Sequence, residues 1–189
     1  MKLIGITGGV GCGKSLITSY LQKKGFDGID ADLIVRDLFL KPEIRERIQK
    51  QFQTLDKIEL RKIIFQSPEK RKQLEVILHP KVMEKIQSEI LKHRRLSAEI
   101  FFITIPLLFE KKLETIFDEV ISISCTKENQ FQRLKERDGI DISLTQAMID
   151  SQLSTQEKSE KAQHVLTNDG TLAEFETKID QLIAKIRSN

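Results

Sequence analysis

Cysteine is scarce in this sequence, which has only Cys12 and Cys125 among its 189 residues. The two are far apart and neither belongs to a C-x-x-C pair, so we expect neither a disulfide framework nor a zinc site. Repeats, low-complexity tracts and flexible linkers are also missing. With this length, the sequence predicts a single domain spanning residues 1–189.

Long apolar runs are absent as well. No run approaches the ~20 residues that a helix needs to cross a bilayer. Residues 1–7 contain one lysine and no small-residue cleavage site, so they do not resemble a signal peptide. We therefore expect a cytoplasmic protein without a membrane partner.

Neither sign of charge dominates. The 31 Lys and Arg and the 28 Asp and Glu are mixed along the chain and give a net charge of +3. This bias is too small to predict a nucleic-acid partner. The densest basic run, residues 92–95, is typical of cations at the C-terminus of a helix. No feature points to an obligate protein partner.

The most informative stretch is residues 8–15, which reads G-G-V-G-C-G-K-S and matches the phosphate-binding loop G-x-x-x-x-G-K-[ST]. Residues 1–7 before it form a short apolar run of strand type. Apolar residues after it recur at helical spacing until a stop signal at residues 23–25. Strand, glycine loop and helix in this order are what the motif requires.

The residue types in this loop suit phosphate binding. Glycines let backbone N–H groups approach phosphate oxygens, and the following helix points its positive end at the same anion. Lys14 would reach the β and γ phosphates, and Ser15 would bind Mg²⁺. Cys12 is either a thiol whose modification blocks nucleotide binding or a small filler at a variable position.

The second predicted strand, residues 26–32, ends in two acids. A strand-end acid beside a phosphate loop is a candidate metal ligand or general base. Asp30 or Asp32 could equally cap the next helix. The sequence alone leaves both explanations open.

Residues 33–97 are predicted to be helical almost throughout. Helices are expected to begin at Pro42 and Pro68, and the pair His79-Pro80 to break a helix. Such an insertion holds the acceptor substrate in phosphate-loop kinases, but it could equally be plain packing. His79 could likewise have a structural role, and Arg61 could be an exposed arginine with a buried stem.

Three further strands are predicted at residues 100–105, 120–124 and 163–167. The first is continuously apolar, as expected for a parallel strand covered on both faces. The nearest acid after it is Glu110, so a metal ligand at this strand end is uncertain. The fold class is therefore α/β, with a five-stranded parallel sheet between helical layers and a helical insertion.

The charged stretch from residue 127 to residue 161 is predicted to form a helical hairpin. Arg133 and Arg137 are four apart and share one helix face. Such a hairpin is either a lid, whose arginines neutralise a transferring phosphate, or a solvated structural element.

Together these features resemble the dephospho-coenzyme A kinase family over nearly the whole chain. The motifs that carry the resemblance are T-G-G-x-G-x-G-K-S at residues 7–15, D-A-D-x-x-x-R at 30–36, L-R-x-x-x-F at 60–65, H-P at 79–80, P-L-L-F-E at 106–110, R-x-x-x-R-D-G at 133–139, Gln152 with Lys158, and N-D-G at 168–170. Their order and spacing are specific to this family. The resemblance implies a core at residues 1–32, 98–126 and 162–189, an acceptor-binding region at 33–97 and a lid at 127–161.

The resemblance also implies transfer of the γ-phosphoryl group of ATP, with Mg²⁺, to the ribose 3′-hydroxyl of dephospho-CoA. It gives catalytic roles to Asp32, which accepts or orients the hydroxyl, to Lys14 and to the lid cation Arg137. Ser15 is the implied metal ligand. The implied acceptor contacts are Asp32, Arg36, Arg61 and His79. The implied nucleotide-binding residues are Gly8, Gly9, Val10, Gly11, Cys12, Gly13, Lys14, Ser15, Leu16, Arg133, Arg137 and Asn168.

The sequence departs from the family pattern at several positions. Leu16 replaces a threonine, Met148 stands where many members have a lid arginine, and Gln163 replaces an aspartate. Residues 41–59 are shorter and poorer in glycine than usual. Two other functions are compatible with parts of this pattern. A different small-molecule kinase, such as one acting on nucleoside monophosphates, would share the loop and lid, whereas a GTP-dependent switch would carry an N-K-x-D motif that this sequence lacks.

Overall fold

The computed structural model describes residues 1–139 and 142–188, except the side chain of Asp138. Its centre is a five-stranded, all-parallel sheet in the order β2-β3-β1-β4-β5. This confirms the predicted fold class. The strands are β1 Lys2–Gly8, β2 Asp27–Asp30, β3 Ile100–Thr104, β4 Glu119–Ser124 and β5 His164–Thr167.

The helices cover both faces of the sheet. They are α1 Lys14–Lys23, α2 Ala31–Leu38, α3 Pro42–Phe52, α4 Lys57–Gln66, α5 Pro68–Arg95, α6 Lys127–Asp138, α7 Ile142–Asp150, α8 Thr155–Lys161 and α9 Leu172–Ser188, with a short 3₁₀ turn at Glu114–Ile116. Among the described residues, no helix combines the length and the apolar character that crossing a membrane requires.

Alternate residues of the central strands supply two hydrophobic cores. Ile4 and Ile6 of β1 face one core, which α1 and α9 cover, whereas Leu3 faces the other, which α2 and α5 cover. Side chains on a strand alternate between the two faces of a sheet, so a strand that is apolar at successive positions must be buried on both sides. This explains why β1 and β3 lie inside the sheet.

The helical insertion has a hydrophobic core of its own. Ile44, Ile48 and Phe52 of α3 pack with residues of α2, α4 and α5, as the spacing of four residues predicts. Pro42 and Pro68 occupy the first turns of α3 and α5, where a missing N–H costs nothing. Ser67 caps α5 by accepting a hydrogen bond from the N–H of Lys70.

The expectation that His79-Pro80 breaks a helix is wrong, because α5 continues through it to Arg95. Proline inside a helix costs roughly 3 kcal/mol. However, α5 buries Leu74 and Ile77 in the core of the insertion. It buries Ile86 in the sheet core that α2 and α5 cover. Each buried aliphatic side chain contributes roughly 1.5–3 kcal/mol, so packing on both sides of the proline outweighs its cost.

The region predicted as a helical hairpin contains three helices rather than two. As predicted, α6 ends at Gly139, which adopts φ 60°. Helix α7 packs against α6 and α4, and Met148 is buried within it. Helix α8 is separate and contacts β1 and β4, so it belongs as much to the core as to a lid.

Candidate active site

The phosphate-binding loop lies at the carboxyl end of β1 and leads directly into α1. Gly8, Gly11 and Gly13 have φ values of 148°, 77° and 106°, in the region that favours glycine. The space around the loop also requires glycine at two of these positions. A Cβ on Gly8 would lie 2.3 Å from the carbonyl oxygen of Ile123, and one on Gly13 would lie 2.4 Å from Nδ2 of Asn168.

Side chains from outside the loop hold its carbonyl groups. Gln130 Nε2 donates to the Val10 carbonyl at 2.7 Å, and Asn168 Nδ2 donates to the Cys12 carbonyl at 2.8 Å. Arg133 donates to the Gly11 carbonyl at 3.4 Å and to the Asn168 carbonyl at 2.9 Å. Because these carbonyls already accept hydrogen bonds, the loop is held in a fixed shape that suits an anion at its N–H groups.

These contacts refine two predicted nucleotide ligands. Arg133 and Asn168 hold the loop by donating hydrogen bonds to its carbonyl groups. Their direct contact with nucleotide stays a prediction. No motif identified Gln130, although it precedes Arg133 by three residues and therefore shares its helix face.

Lys14 lies half-buried against the loop, where its Nζ donates to the carbonyls of Gly8 and Gly9 at 3.0 and 2.9 Å. Burial, followed by the positive charge of Lys158, lowers its pKa to about 8, while the negative charge of Asp32 opposes the change. Lys14 is thus a cation at neutral pH that gains from an added anion. Ser15 follows it and is exposed at the start of α1.

The two acids after β2 have different roles. Asp30 is buried, and its carboxylate caps α2 by accepting a hydrogen bond from the N–H of Asp32 at 2.8 Å. The capping explanation therefore holds for Asp30. Asp32 lies in the first turn of α2, where part of its surface remains exposed to solvent.

Asp32 interacts electrostatically with Lys14 and with Arg137 of α6. Surrounding protein raises the pKa of Asp32 by making its charged form harder to hydrate, while the positive charges of Lys14 and Arg137 lower it. Lys14 from the loop, Asp32 from α2 and Arg137 from α6 therefore act on one site. Such a group of one acid and two cations suits the transfer of a phosphoryl group to a hydroxyl.

The other predicted acceptor contacts lie on the helical insertion. Arg36 is exposed one turn after Asp32, with its Nε 4.0 Å from Oδ1 of Asp37. Arg61 is half-buried on α4, and His79 is exposed on α5. Helix α5 packs against both α2 and α4, so the three residues belong to one packed unit. Their contact with an acceptor stays a prediction.

The expectation that the cysteines form no disulfide is wrong. Their sulfur atoms are 2.50 Å apart and their Cα atoms 5.4 Å apart, across a sequence separation of 113. Parallel pairing of β1 with β4 sets Gly8 opposite Ile123, so the residues just beyond both strand ends become neighbours. The spacing of the two cysteines in the sequence does not predict this contact, because the pairing of β1 with β4 brings them together.

We expect reduction of this pair to destabilise the protein. Closing a loop of this length removes entropy from the unfolded chain worth roughly 4–5 kcal/mol. Urea unfolding of oxidised protein should therefore show a higher midpoint than unfolding in excess reductant. The variant Cys125→Ala is the control and should unfold alike in both buffers. Coinciding midpoints for the unmodified protein would contradict the prediction.

Acidic residues around the site do not form a preformed metal cage. Within residues 1–139 and 142–188, no cluster of three or more His, Cys, Asp or Glu could hold a metal ion. Glu110, the first acid after β3, instead lies 3.0 Å from the ammonium of Lys158.

A parallel sheet that places a phosphate-binding loop, a lysine and a strand-end acid at one edge defines a phosphate-loop kinase. The family model for dephospho-CoA kinase matches residues 2–174. A dephospho-CoA kinase from Fusobacterium nucleatum is 34% identical over an alignment of 194 positions, which covers 98% of this chain and 99% of the relative. The chain therefore belongs to the dephospho-CoA kinase family.

Solved structures show the same relationship. A crystal structure of a Thermus thermophilus protein is 31% identical, with a TM-score of 0.78 over 97% of both chains. A dephospho-CoA kinase from Campylobacter jejuni is 29% identical, with a TM-score of 0.68 over 98% of both chains. The similarity extends over nearly the whole length, so it includes the loop, the helical insertion and helices α6 to α8.

Proposed function

We propose that this protein transfers the γ-phosphoryl group of ATP to the ribose 3′-hydroxyl of dephospho-CoA, which gives CoA and ADP. The observation that carries the proposal is the family match over residues 2–174, and the electrostatic interaction of Asp32 with Lys14 supports it. The reaction is the final step of CoA biosynthesis.

The donor half of the site binds the triphosphate. The loop N–H groups and the N-terminus of α1 face the phosphates, and Lys14 exchanges its carbonyl contacts for the β and γ oxygens. Mg²⁺ fits here, because it typically takes only one or two protein oxygens beside phosphates and water, and Ser15 offers an exposed hydroxyl. When bound, the ion neutralises charge on the phosphate oxygens.

The acceptor half activates the hydroxyl. In its carboxylate form, Asp32 accepts the proton of the 3′-hydroxyl as that oxygen bonds to the γ-phosphorus. The bond from the γ-phosphorus to the ADP oxygen breaks, and ADP leaves with the electron pair. Arg137 stabilises the charge that develops on the transferring group. Arg36, Arg61 and His79 hold the rest of the acceptor.

An ADP-release assay tests the substrate directly. Dephospho-CoA should support ADP release, whereas AMP, CMP and shikimate at the same concentration should give only background. Activity confined to one of the last three would replace the proposal with the alternative small-molecule kinase. Mass spectrometry of the product should show one added phosphate on dephospho-CoA.

We expect Arg137→Ala to lower kcat more than it raises the KM for dephospho-CoA. Arginine at this position acts on developing charge, so its loss should cost roughly 10²-fold in kcat. Steady-state kinetics in both substrates would measure the two effects. Lys135→Ala, an exposed cation on the same helix, is the matched control and should change neither constant. A larger change in the acceptor KM would make Arg137 a substrate-binding residue.

A further inference from the structure

Helix α8 contains a lysine that is completely buried. Lys158 has no exposed surface, whereas most residues of this short helix are polar and open to solvent. Lysine is rarely buried unless it is paired, because removing an ammonium from water is costly. Burial accordingly lowers the pKa of Lys158, while Glu110 opposes the change.

The ammonium connects three parts of the site. Lys158 Nζ lies 2.7 Å from the carbonyl oxygen of Pro106, 3.0 Å from Oε1 of Glu110 and 3.4 Å from the carbonyl oxygen of Gly8. Gly8 begins the phosphate-binding loop, and Pro106 follows the end of β3. An ammonium has three hydrogens, so these acceptors use all of them.

Two further contacts extend this arrangement. Lys14 donates to the same Gly8 carbonyl at 3.0 Å, so both lysines share one acceptor where the loop begins. Glu110 Oε1 also accepts a hydrogen bond from the N–H of Leu153, which lies between α7 and α8. The contacts therefore run from the loop to the segment that follows the lid helices.

Stability alone does not explain this ion pair. Within the described part of the chain, Oε2 of Glu110 is buried without a hydrogen-bond partner. Buried ion pairs that are incompletely satisfied are usually no more stable than apolar residues of similar size. The contact to Gly8, in contrast, acts directly on the loop that holds the phosphates.

We propose that Lys158 is a positioning residue, which holds the start of the phosphate-binding loop and couples it to the end of the lid region. The inference rests on the proposed kinase function. Lys158 acts through the Gly8 carbonyl and does not itself touch the nucleotide. Without it, the loop N–H groups and Lys14 lose their alignment toward the phosphates, and the misplacement costs rate and ATP affinity.

The test separates positioning from support of the fold. Lys158→Met leaves Glu110 buried without its partner, so it should lower both thermal stability and activity. The double variant Lys158→Met/Glu110→Gln removes both charges and should recover the stability. It should still show a loss of roughly 10–100-fold in kcat/KM for ATP, with the KM for dephospho-CoA unchanged. Lys161→Met, an exposed lysine on the same helix, is the control.

ATP affinity is measured separately by calorimetry with ATP and Mg²⁺. If the acceptor were not dephospho-CoA, the double variant should still bind ATP more weakly, so failure of the proposed function is distinguishable from failure of this inference. A double variant that recovers stability, ATP affinity and kcat/KM together would show that Lys158 only supports the fold and would overturn the inference. Unchanged kinetics in Lys158→Met would overturn it equally.

Discussion

Lys14→Ala is expected to reduce kcat/KM for ATP by at least about 10²–10³-fold while leaving the protein folded. Lys14 is the cation that the loop places nearest to the transferring phosphate, and removal of one preorganised charge of this kind usually costs that much. Its ammonium also rests on the Gly8 and Gly9 carbonyls, which puts it at the loop without help from substrate. Steady-state kinetics with varied ATP would measure the loss.

Lys14→Ala should not lower the stability of the folded protein. The pKa of Lys14 is lower in the folded protein than in the unfolded chain, so at neutral pH its charge opposes folding. Lys14→Ala should therefore unfold at the same temperature as the unmodified protein or a higher one. Lys23→Ala, at the exposed far end of α1, is the matched control for activity. Retained phosphoryl transfer in Lys14→Ala would overturn the assignment of the loop.

Asp32→Asn is expected to lower kcat by roughly 10²–10⁴-fold, the usual contribution of a general base. Asparagine keeps the shape of the side chain but cannot take the proton of the hydroxyl. ATP affinity, measured by calorimetry, should change little, because the nucleotide phosphates lie against the loop. A loss of only a few-fold in kcat would place the base elsewhere.

The neighbouring acid supplies the control for that experiment. Asp30 caps α2, and asparagine caps helices about as well as aspartate, so Asp30→Asn should keep most of the activity. A larger loss in Asp30→Asn than in Asp32→Asn would reverse the roles assigned to the two acids.

The pH profile provides a second readout of the same residues. The unmodified enzyme should lose kcat/KM as the pH falls through the pKa of Asp32, which lies above its ordinary value, and Asp32→Asn should lack this acid limb. With free enzyme and varied ATP, activity should also fall as the pH rises past about 8, where Lys14 loses its proton. An acid limb that persists in Asp32→Asn would assign it to another group.

Local sequence patterns predicted the phosphate-binding loop. The phosphate-binding loop is contiguous, and its glycines permit the backbone geometry that it needs. The apolar strands were found for a similar reason, since burial on both faces of a sheet requires apolar side chains at successive positions. The starts of α3 and α5, each with a proline in the first turn, are equally local.

The errors arose where distant residues or long-range packing decide the outcome. Pro80 favours a break in any isolated helix, but the two cores on either side of it keep α5 continuous. Cys12 and Cys125 show no pairing pattern, because only the sheet order brings them together.

The sequence by itself therefore determined the phosphate-binding loop, the class of fold and the family, because each depends on short motifs in a defined order. The tertiary structure decided which acid caps a helix and which faces the loop, since Asp30 and Asp32 have equivalent side chains and differ only in their surroundings. It also decided the role of Lys158, whose partners come from the ends of two strands and a turn distant in the chain. Adjacent residues are enough to predict the phosphate-binding loop. The side chains that hold the loop in place cannot be predicted in this way, because they come from distant parts of the sequence and become its neighbours only when the chain folds.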